Sequence, residues 1–288
     1  KSSLVNALAK AYRADGKTVA ILAVDPTSPF TGGAILGDRI RMRDLAGDKG
    51  VIIRSMATRG NLGGLARAAR DAIRLLDAAG FDIVLVETVG AGQSEIEIAR
   101  AAQTTIVVEA PGMGDDVQAI KAGILEIADV LVVNKADRPG VDNTVRGLKT
   151  MLELGHPASR DQFASHHGQL LPLEASPANG HTAAFWLPPI VRTVATDGQG
   201  IDAVKSAIQA HRDFLAGADR LVSLERQQIE IELHDRLRAA FMTRLLGALP
   251  TEAINTIIAR VKAREIDPQT AVVEILALYD QAQIKVQS

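Results

Sequence analysis

Short β-branched runs, each followed by a longer stretch of helical periodicity, limit the folds open to this chain more than any other feature. The runs lie over 18–24, 51–54, 83–87, 104–108, 130–134 and 190–194, with helical patterns over 64–79, 116–126 and 142–154 between them. The runs are continuously apolar rather than alternating, as expected of strands covered on both faces. Strand–helix alternation of this kind predicts an α/β fold, a mostly parallel sheet flanked by helices. Ligands of such sheets bind at the carboxyl ends of the strands, so the residues that follow each run are where chemistry is expected.

The alternation stops near Ala216. From Leu221 onward Ile229, Leu233, Leu237 and Phe241 recur every four residues along one helical face, and "DPQT" reads as a helix start with Asp267 as cap and Pro268 in the first turn. The expected division is a domain over 1–216 and a helical arm over 221–288, the arm pairing with a second copy into a homodimer. Residues 156–185 are the least regular stretch and hold four of the six histidines, which suits a surface insertion. The adjacent His166 and His167 do not face one ligand from a helix, so no metal site is expected there.

Composition removes several classes of partner. A net charge of -2 argues against nucleic acid, which calls for a basic face. The absence of cysteine excludes disulfides and thiolate metal sites and fits a reducing cytoplasm. The apolar runs are far shorter than the roughly 20 residues needed to span a bilayer, so no membrane partner is expected.

The chemistry-bearing residues follow the runs in order. After the first come Asp25 and, further on, Asp38; after the third comes Glu87, then Gly90 to Glu95; after the fifth comes "NKAD", Asn134 to Asp137. Acidic, glycine-rich and amide-bearing loops at one sheet edge suit a phosphate-bearing ligand and its magnesium. Asp25, Asp38 and Glu87 are the carboxylate candidates for the metal, although Asp25 equally suits a cap before Pro26 and Asp38 the cap of a helix over 39–45. Magnesium prefers one or two carboxylates, waters and phosphate oxygens. In "NKAD", Asp137 can accept hydrogen bonds from the ring N–H and the exocyclic amine of guanine, a pair adenine lacks. Sites built this way discriminate by about 10⁴–10⁵. Asn134 ties the loop to its neighbours, and the Lys135 stem can cover the base plane.

The chain opens "KSSLVNALAK", and its lysine and serines match the end of the phosphate-binding pattern G-x-x-x-x-G-K-[ST]. The expectation is that the glycine loop and its strand lie immediately upstream, in the middle of the sheet. The polypeptide as given would then bind GTP poorly, and restoring the upstream segment would rescue it.

"AVDPTSPFTGGAILGDRIRM", "VLVETVGAGQSE", "PGMGDDVQAIKAGILEIADVLVVNKAD" and "TVATDGQGID" together resemble the MeaB/ArgK/MMAA family of P-loop GTPases. The similarity runs over nearly the whole chain and includes "AREIDPQTAVVEIL" in the tail. The resemblance implies a SIMIBI-type P-loop fold with a C-terminal helical arm, GTP/GDP and Mg2+ as ligands, and GTP hydrolysis. It also implies a chaperone role toward an adenosylcobalamin-dependent acyl-CoA mutase, chiefly methylmalonyl-CoA mutase, gating cofactor loading and protecting or rescuing the mutase.

Carried onto this sequence, the resemblance implies that Lys1 contacts the β- and γ-phosphates, Ser2 the magnesium and Ser3 the α-phosphate region. Asp25 and Asp38 would belong to a first switch, with Glu87 on the metal side and Gly90 to Glu95 as a second switch. Asp115 and Lys121 would belong to a third switch that reports nucleotide state to the mutase. Asn134, Lys135 and Asp137 would read guanine, assisted by the backbone at Val194 and Ala195, where the family often has Ser-Ala. Gln93 is a candidate for positioning the attacking water, in a register that differs from Ras-like proteins. Two other readings stay open: a nickel-inserting maturation GTPase, which the lack of cysteine disfavours, and a nucleotide-binding scaffold without turnover.

Overall fold

The computed structural model describes the chain except for residues 26–41, 46, 58–61, 89–92, 113–126, 155–185 and 288. Asp38, Asp115, Lys121, the helix expected over 116–126 and the histidine-rich stretch over 156–185 all lie outside the described residues. Two compact units are formed, Lys1–Leu221 and Val222–Ser288.

In the first unit, helix α1 (Ser2–Ala14) leads into strand β1 (Val19–Asp25), and β2 (Val51–Ala57) follows. Helix α2 (Leu62–Ala78), β3 (Ile83–Thr88), α3 (Gln93–Ala99), β4 (Ile106–Glu109) and β5 (Val130–Asn134) come next. Helix α4 (Val141–Leu154), β6 (Ile190–Thr193) and α5 (Ile201–Ala216) complete it. All strand pairs are parallel, in two three-stranded sheets of order β2-β1-β3 and β4-β5-β6.

Period-two alternation explains how apolar runs serve two cores at once. In β1, Val19 and Ile21 pack with Ala9 of α1, Met42 and Leu45, while Val24 packs with Leu65 and Ala69 of α2 and Ile98 of α3. In β5, Val130 and Val132 face Leu4 and Leu8 of α1 and Val204 of α5, while Leu131 and Val133 face Val145 and Leu148 of α4. Helix α1 therefore joins the sheets: Leu85 of β3 and Ile106 and Val108 of β4 pack on the same cluster as Leu4 and Leu8. The helix stops at Gly16, whose φ of 78° permits the Lys17 N–H to reach the Tyr12 carbonyl at 3.0 Å and its own N–H that of Arg13 at 2.9 Å.

The expectation that every strand is covered on both faces holds for β1 and β5, the central strands, and fails elsewhere. β2 is an edge strand with Ile52 exposed, and most of β3 and β4 is only half-buried. The second strand is also longer than its apolar run, because pairing with β1 carries it through Arg54 and Ser55 to Ala57. The fourth starts two residues later than expected: Thr105 N–H donates to the Asp129 carboxylate at 2.7 Å instead of to a ladder. Of the helix expected over 39–45, residues 39–41 lie outside the described residues, and Arg43–Leu45 form a 3₁₀ turn.

The amino ends of the strands are closed by polar clamps. Asp82 accepts the Thr18 N–H at 2.8 Å and its hydroxyl at 2.9 Å. Asp129 also meets buried His211 of α5, with Nε2 3.3 Å from Oδ1, and the other ring nitrogen is 3.0 Å from the Thr104 hydroxyl. Trp186 donates to the Asp129 carbonyl at 2.8 Å and packs its ring against His211 and Phe214.

The second unit is helical: α6 (Arg220–Ala248, beginning just before it), α7 (Thr251–Lys262) and α8 (Pro268–Gln287). Its core is Leu245, Leu249 and Tyr279 with Ile254, Ile275 and Leu278. Asp267 caps α8, accepting from Gln269 N–H at 2.8 Å and Thr270 N–H at 3.1 Å. Three helices stand where two were legible, since Pro250 ends one and precedes the next. Ile229, Leu233, Leu237 and Phe241 are all about half exposed or more, at 57%, 55%, 57% and 49%. Among the described residues no helix is long and apolar enough to cross a membrane.

Candidate functional site

The site lies along the carboxyl edge of the strands, where each strand hands its backbone to a loop. At β3, the acidic residue Glu87 is buried although its neighbours along the strand are half-exposed. Its Oε1 accepts a 2.6 Å hydrogen bond from the Ser2 hydroxyl, across 85 residues of sequence. Ser2 is itself buried in the first turn of α1, with Lys1 exposed at the cap position and Ser3 exposed beside it. Folding thus joins the residue after Lys1 to the strand-end carboxylate.

These two side chains suit a magnesium ion. Both offer hard oxygen donors, they are in contact, and one carboxylate with one hydroxyl leaves positions for water and phosphate oxygens. Ser2 and Glu87 would hold the ion, which would neutralise charge on the phosphates. Asp25 ends β1 opposite Ala57, and its carboxylate, like Asp38, lies outside what is described. Among the described residues no three acidic or histidine side chains form a metal cluster. Gln93 is the first residue of α3, so the proposed second switch passes into a helix there, while its side chain is not among those described.

The base end is built from β5 and β6. Asn134, the last residue of β5, is buried, and its Oδ1 accepts both the Thr193 hydroxyl and the Ala195 N–H, each at 3.1 Å. Ala136 N–H donates to the Thr193 carbonyl at 3.0 Å, so the two loops are laced together in both directions. Lys135 has φ 61°, a left-handed conformation that non-glycine residues adopt rarely, and the turn it makes leaves Lys135 and Asp137 exposed. Val194 exchanges N–H···O bonds with Gln199 at 3.1 and 3.2 Å, closing the loop before α5. The N–H groups of Val194 and Ala195 are both engaged inside the protein, so they order the loop that would frame the base. Gly200, φ 78°, admits no side chain: a Cβ would lie 2.2 Å from the Arg192 carbonyl oxygen.

Two residues were missed in the sequence reading. Thr193, 1% exposed, is one of the two donors that orient Asn134, and its position just before Val194 was the available signal. Glu109, at the carboxyl end of β4, pairs in register with Val133, one residue before Asn134. Burial pushes its carboxyl above the usual carboxylate range, and the charge of Lys1 pulls the other way. It directly follows the apolar run over 104–108, where an acid ending a strand was visible but unassigned.

Lys1, the buried Ser2–Glu87 pair and the loops laced at Asn134 all lie at the carboxyl ends of parallel strands. The family model described as "Methylmalonyl Co-A mutase-associated GTPase MeaB" matches residues 1–249. A protein named as a GTPase in Pyrococcus abyssi is 44% identical over 276 residues, covering 96% of this chain and 78% of the relative. GTPase ArgK of Escherichia coli is 37% identical over 228 residues, 79% of this chain and 62% of its own. The crystal structure of a LAO/AO transport system kinase superposes with a TM-score of 0.63 at 25% identity, covering 97% of this chain and 77% of that one. With the family model spanning most of the sequence, the chain belongs to the MeaB family of P-loop GTPases, enzymes that hydrolyse GTP.

Proposed function

We propose that this GTPase is a chaperone of an adenosylcobalamin-dependent acyl-CoA mutase, methylmalonyl-CoA mutase first among the candidates, whose cofactor loading and repair it gates by its nucleotide state. The observation that carries the nucleotide half is the Asn134 junction, which holds "NKAD" and the loop after β6 as one rigid frame. The mutase half is supported by the family's description. In this reading Asp137 accepts from guanine, Lys135 covers the base, and Asn134 with Val194 and Ala195 fixes the frame. Lys1 and Ser3 meet the phosphates, Ser2 and Glu87 hold Mg2+ with Asp25 and Asp38, and Gln93 orients water. Asp115 and Lys121 transmit the state to the mutase. Slow intrinsic turnover is expected, because phosphoryl transfer depends on an electrostatic clamp that a partner completes, worth about 10³–10⁵ in rate.

The apolar stripe on α6 supports homodimerisation through the arm: four large side chains at four-residue spacing are exposed along one face. Light scattering of the full-length protein should give a dimer, and Leu233→Glu with Leu237→Lys a monomer; a monomeric wild type at micromolar concentration overturns the dimer. The functional test is co-precipitation with candidate B12 mutases, with GDP and with a GTP analogue, alongside GTP turnover with and without the mutase. Nucleotide-dependent capture and stimulated turnover are expected. Absence of hydrolysis in every condition would leave a scaffold instead.

A further inference from the structure

We infer that Arg192 is a positioning residue that acts through Asp142 and fixes how Asp137 meets a guanine base; the inference rests on the reading of Asp137 given above. The loop that carries Asp137 passes over the carboxyl edge of the sheet from one face to the other. It leaves β5 at Asn134, which by alternation shares a face with Val130 and Val132, the face covered by α1 and α5. It arrives at α4, whose Val145 and Leu148 cover the opposite face with Val141 beside them. Between the two, the Arg138 N–H donates to the Lys135 carbonyl at 3.0 Å, and Asp137 is exposed inside that turn.

Two consecutive residues of β6 hold the two limbs of this loop. Thr193 pairs in register with Asn134 and grips the near limb, where its hydroxyl donates to Asn134 Oδ1 and its carbonyl accepts from Ala136 N–H. Arg192 lies on the other face, with Ile190, which packs on the α4 cluster. There its Nη2 meets Asp142 Oδ1 at 2.7 Å, in the first turn of α4. Both side chains are exposed, so the pair adds little to the stability of the fold. Its consequence is geometric. The Asp137 carboxylate has to face the ring N–H and the exocyclic amine of guanine together, and a loop held by one limb alone can meet one donor without the other.

The test uses the full-length protein with its Arg192→Gln, Arg192→Lys and Asp142→Asn variants and the Arg192→Gln/Asp142→Asn double variant. Each is titrated with GDP and with inosine diphosphate, which keeps the ring N–H and the phosphates but lacks the exocyclic amine. The wild type should prefer GDP. Arg192→Gln and Asp142→Asn should each lower the ratio of the two affinities by about twofold to fivefold, the range open to an exposed ion pair. The double variant should match the singles, because each change removes the same pair. Arg192→Lys, which can keep a single contact to Asp142, should stay nearer wild type, and raised salt should narrow the gap between wild type and Arg192→Gln. Melting temperatures should be alike in all five proteins. An unchanged ratio in Arg192→Gln, equal losses for both nucleotides, or additive losses in the double variant would each overturn the inference. If the wild type binds both nucleotides equally, the guanine reading of Asp137 fails and this inference with it; if it prefers GDP and Arg192→Gln keeps that preference, only the role of Arg192 fails.

Discussion

Replacing Asn134 by alanine tests how the base loop is held. Its Oδ1 is the acceptor for the Thr193 hydroxyl and the Ala195 N–H, both at 3.1 Å, and the three residues are 6%, 1% and 6% exposed. Alanine leaves two buried donors without an acceptor, at about 1–3 kcal/mol each, for a total of roughly 2–6 kcal/mol. In a unit the size of Lys1–Leu221, each kcal/mol moves the melting temperature by about 2–4 °C. Asn134→Ala should therefore melt roughly 4–24 °C lower by circular dichroism. Thr193→Val removes one donor and spares the other bond, so it should cost only about 0.5–1.5 kcal/mol. The double variant should fall short of the sum by roughly the energy of the shared bond, about 1 kcal/mol. GDP affinity should drop with Asn134→Ala and much less with Thr193→Val. An unchanged melting temperature for Asn134→Ala, or strict additivity in the double variant, would refute the claim that this amide laces the loops.

Exchanging the acceptor pair of Asp137 for an amide should move specificity from guanine to xanthine. Asp137→Asn is expected to lose GTP affinity by about 100-fold or more and to gain xanthosine triphosphate, read in a competition titration. His211→Ala should destabilise the first unit by about 3–5 kcal/mol, since it empties a buried ring position and strips Asp129 of a partner. Urea unfolding followed by the fluorescence of the single Trp186, whose ring packs on His211, is the measurement. Acid should loosen the clamp at the start of β1 and β3. Thr18 N–H and hydroxyl hold the Asp82 carboxyl below the usual carboxylate range, with Lys17 adding to this. A depressed folded value means the contribution is present above the unfolded pKa, near 4, and is lost as pH falls through the folded one. Asp82→Asn should consequently show a smaller drop in urea midpoint between neutral pH and pH about 3 than wild type.

Much of the fold was legible because its determinants are local. The run "DVLVVN" is continuously apolar, and β5 has the predicted bounds, with five consecutive buried residues. The cap Asp267 was visible in turn chemistry. Edge strands were harder. Nothing in "VIIRSMA" separates a strand paired on one side from one paired on two, because that depends on which neighbour the rest of the chain supplies.

The site divides in the same way. Residue types at strand ends announced a guanine nucleotide, because "NKAD" and the terminal "KSS" carry their chemistry within a few consecutive residues. Their mutual engagement did not show: Ser2 meets Glu87 across 85 residues, and Thr193 meets Asn134 across 59. A sequence determines which groups its loops can offer, through propensity and periodicity. Which side chains meet is decided by strand order and by one helix packed on two sheets, and those arise from burial between segments far apart in the chain.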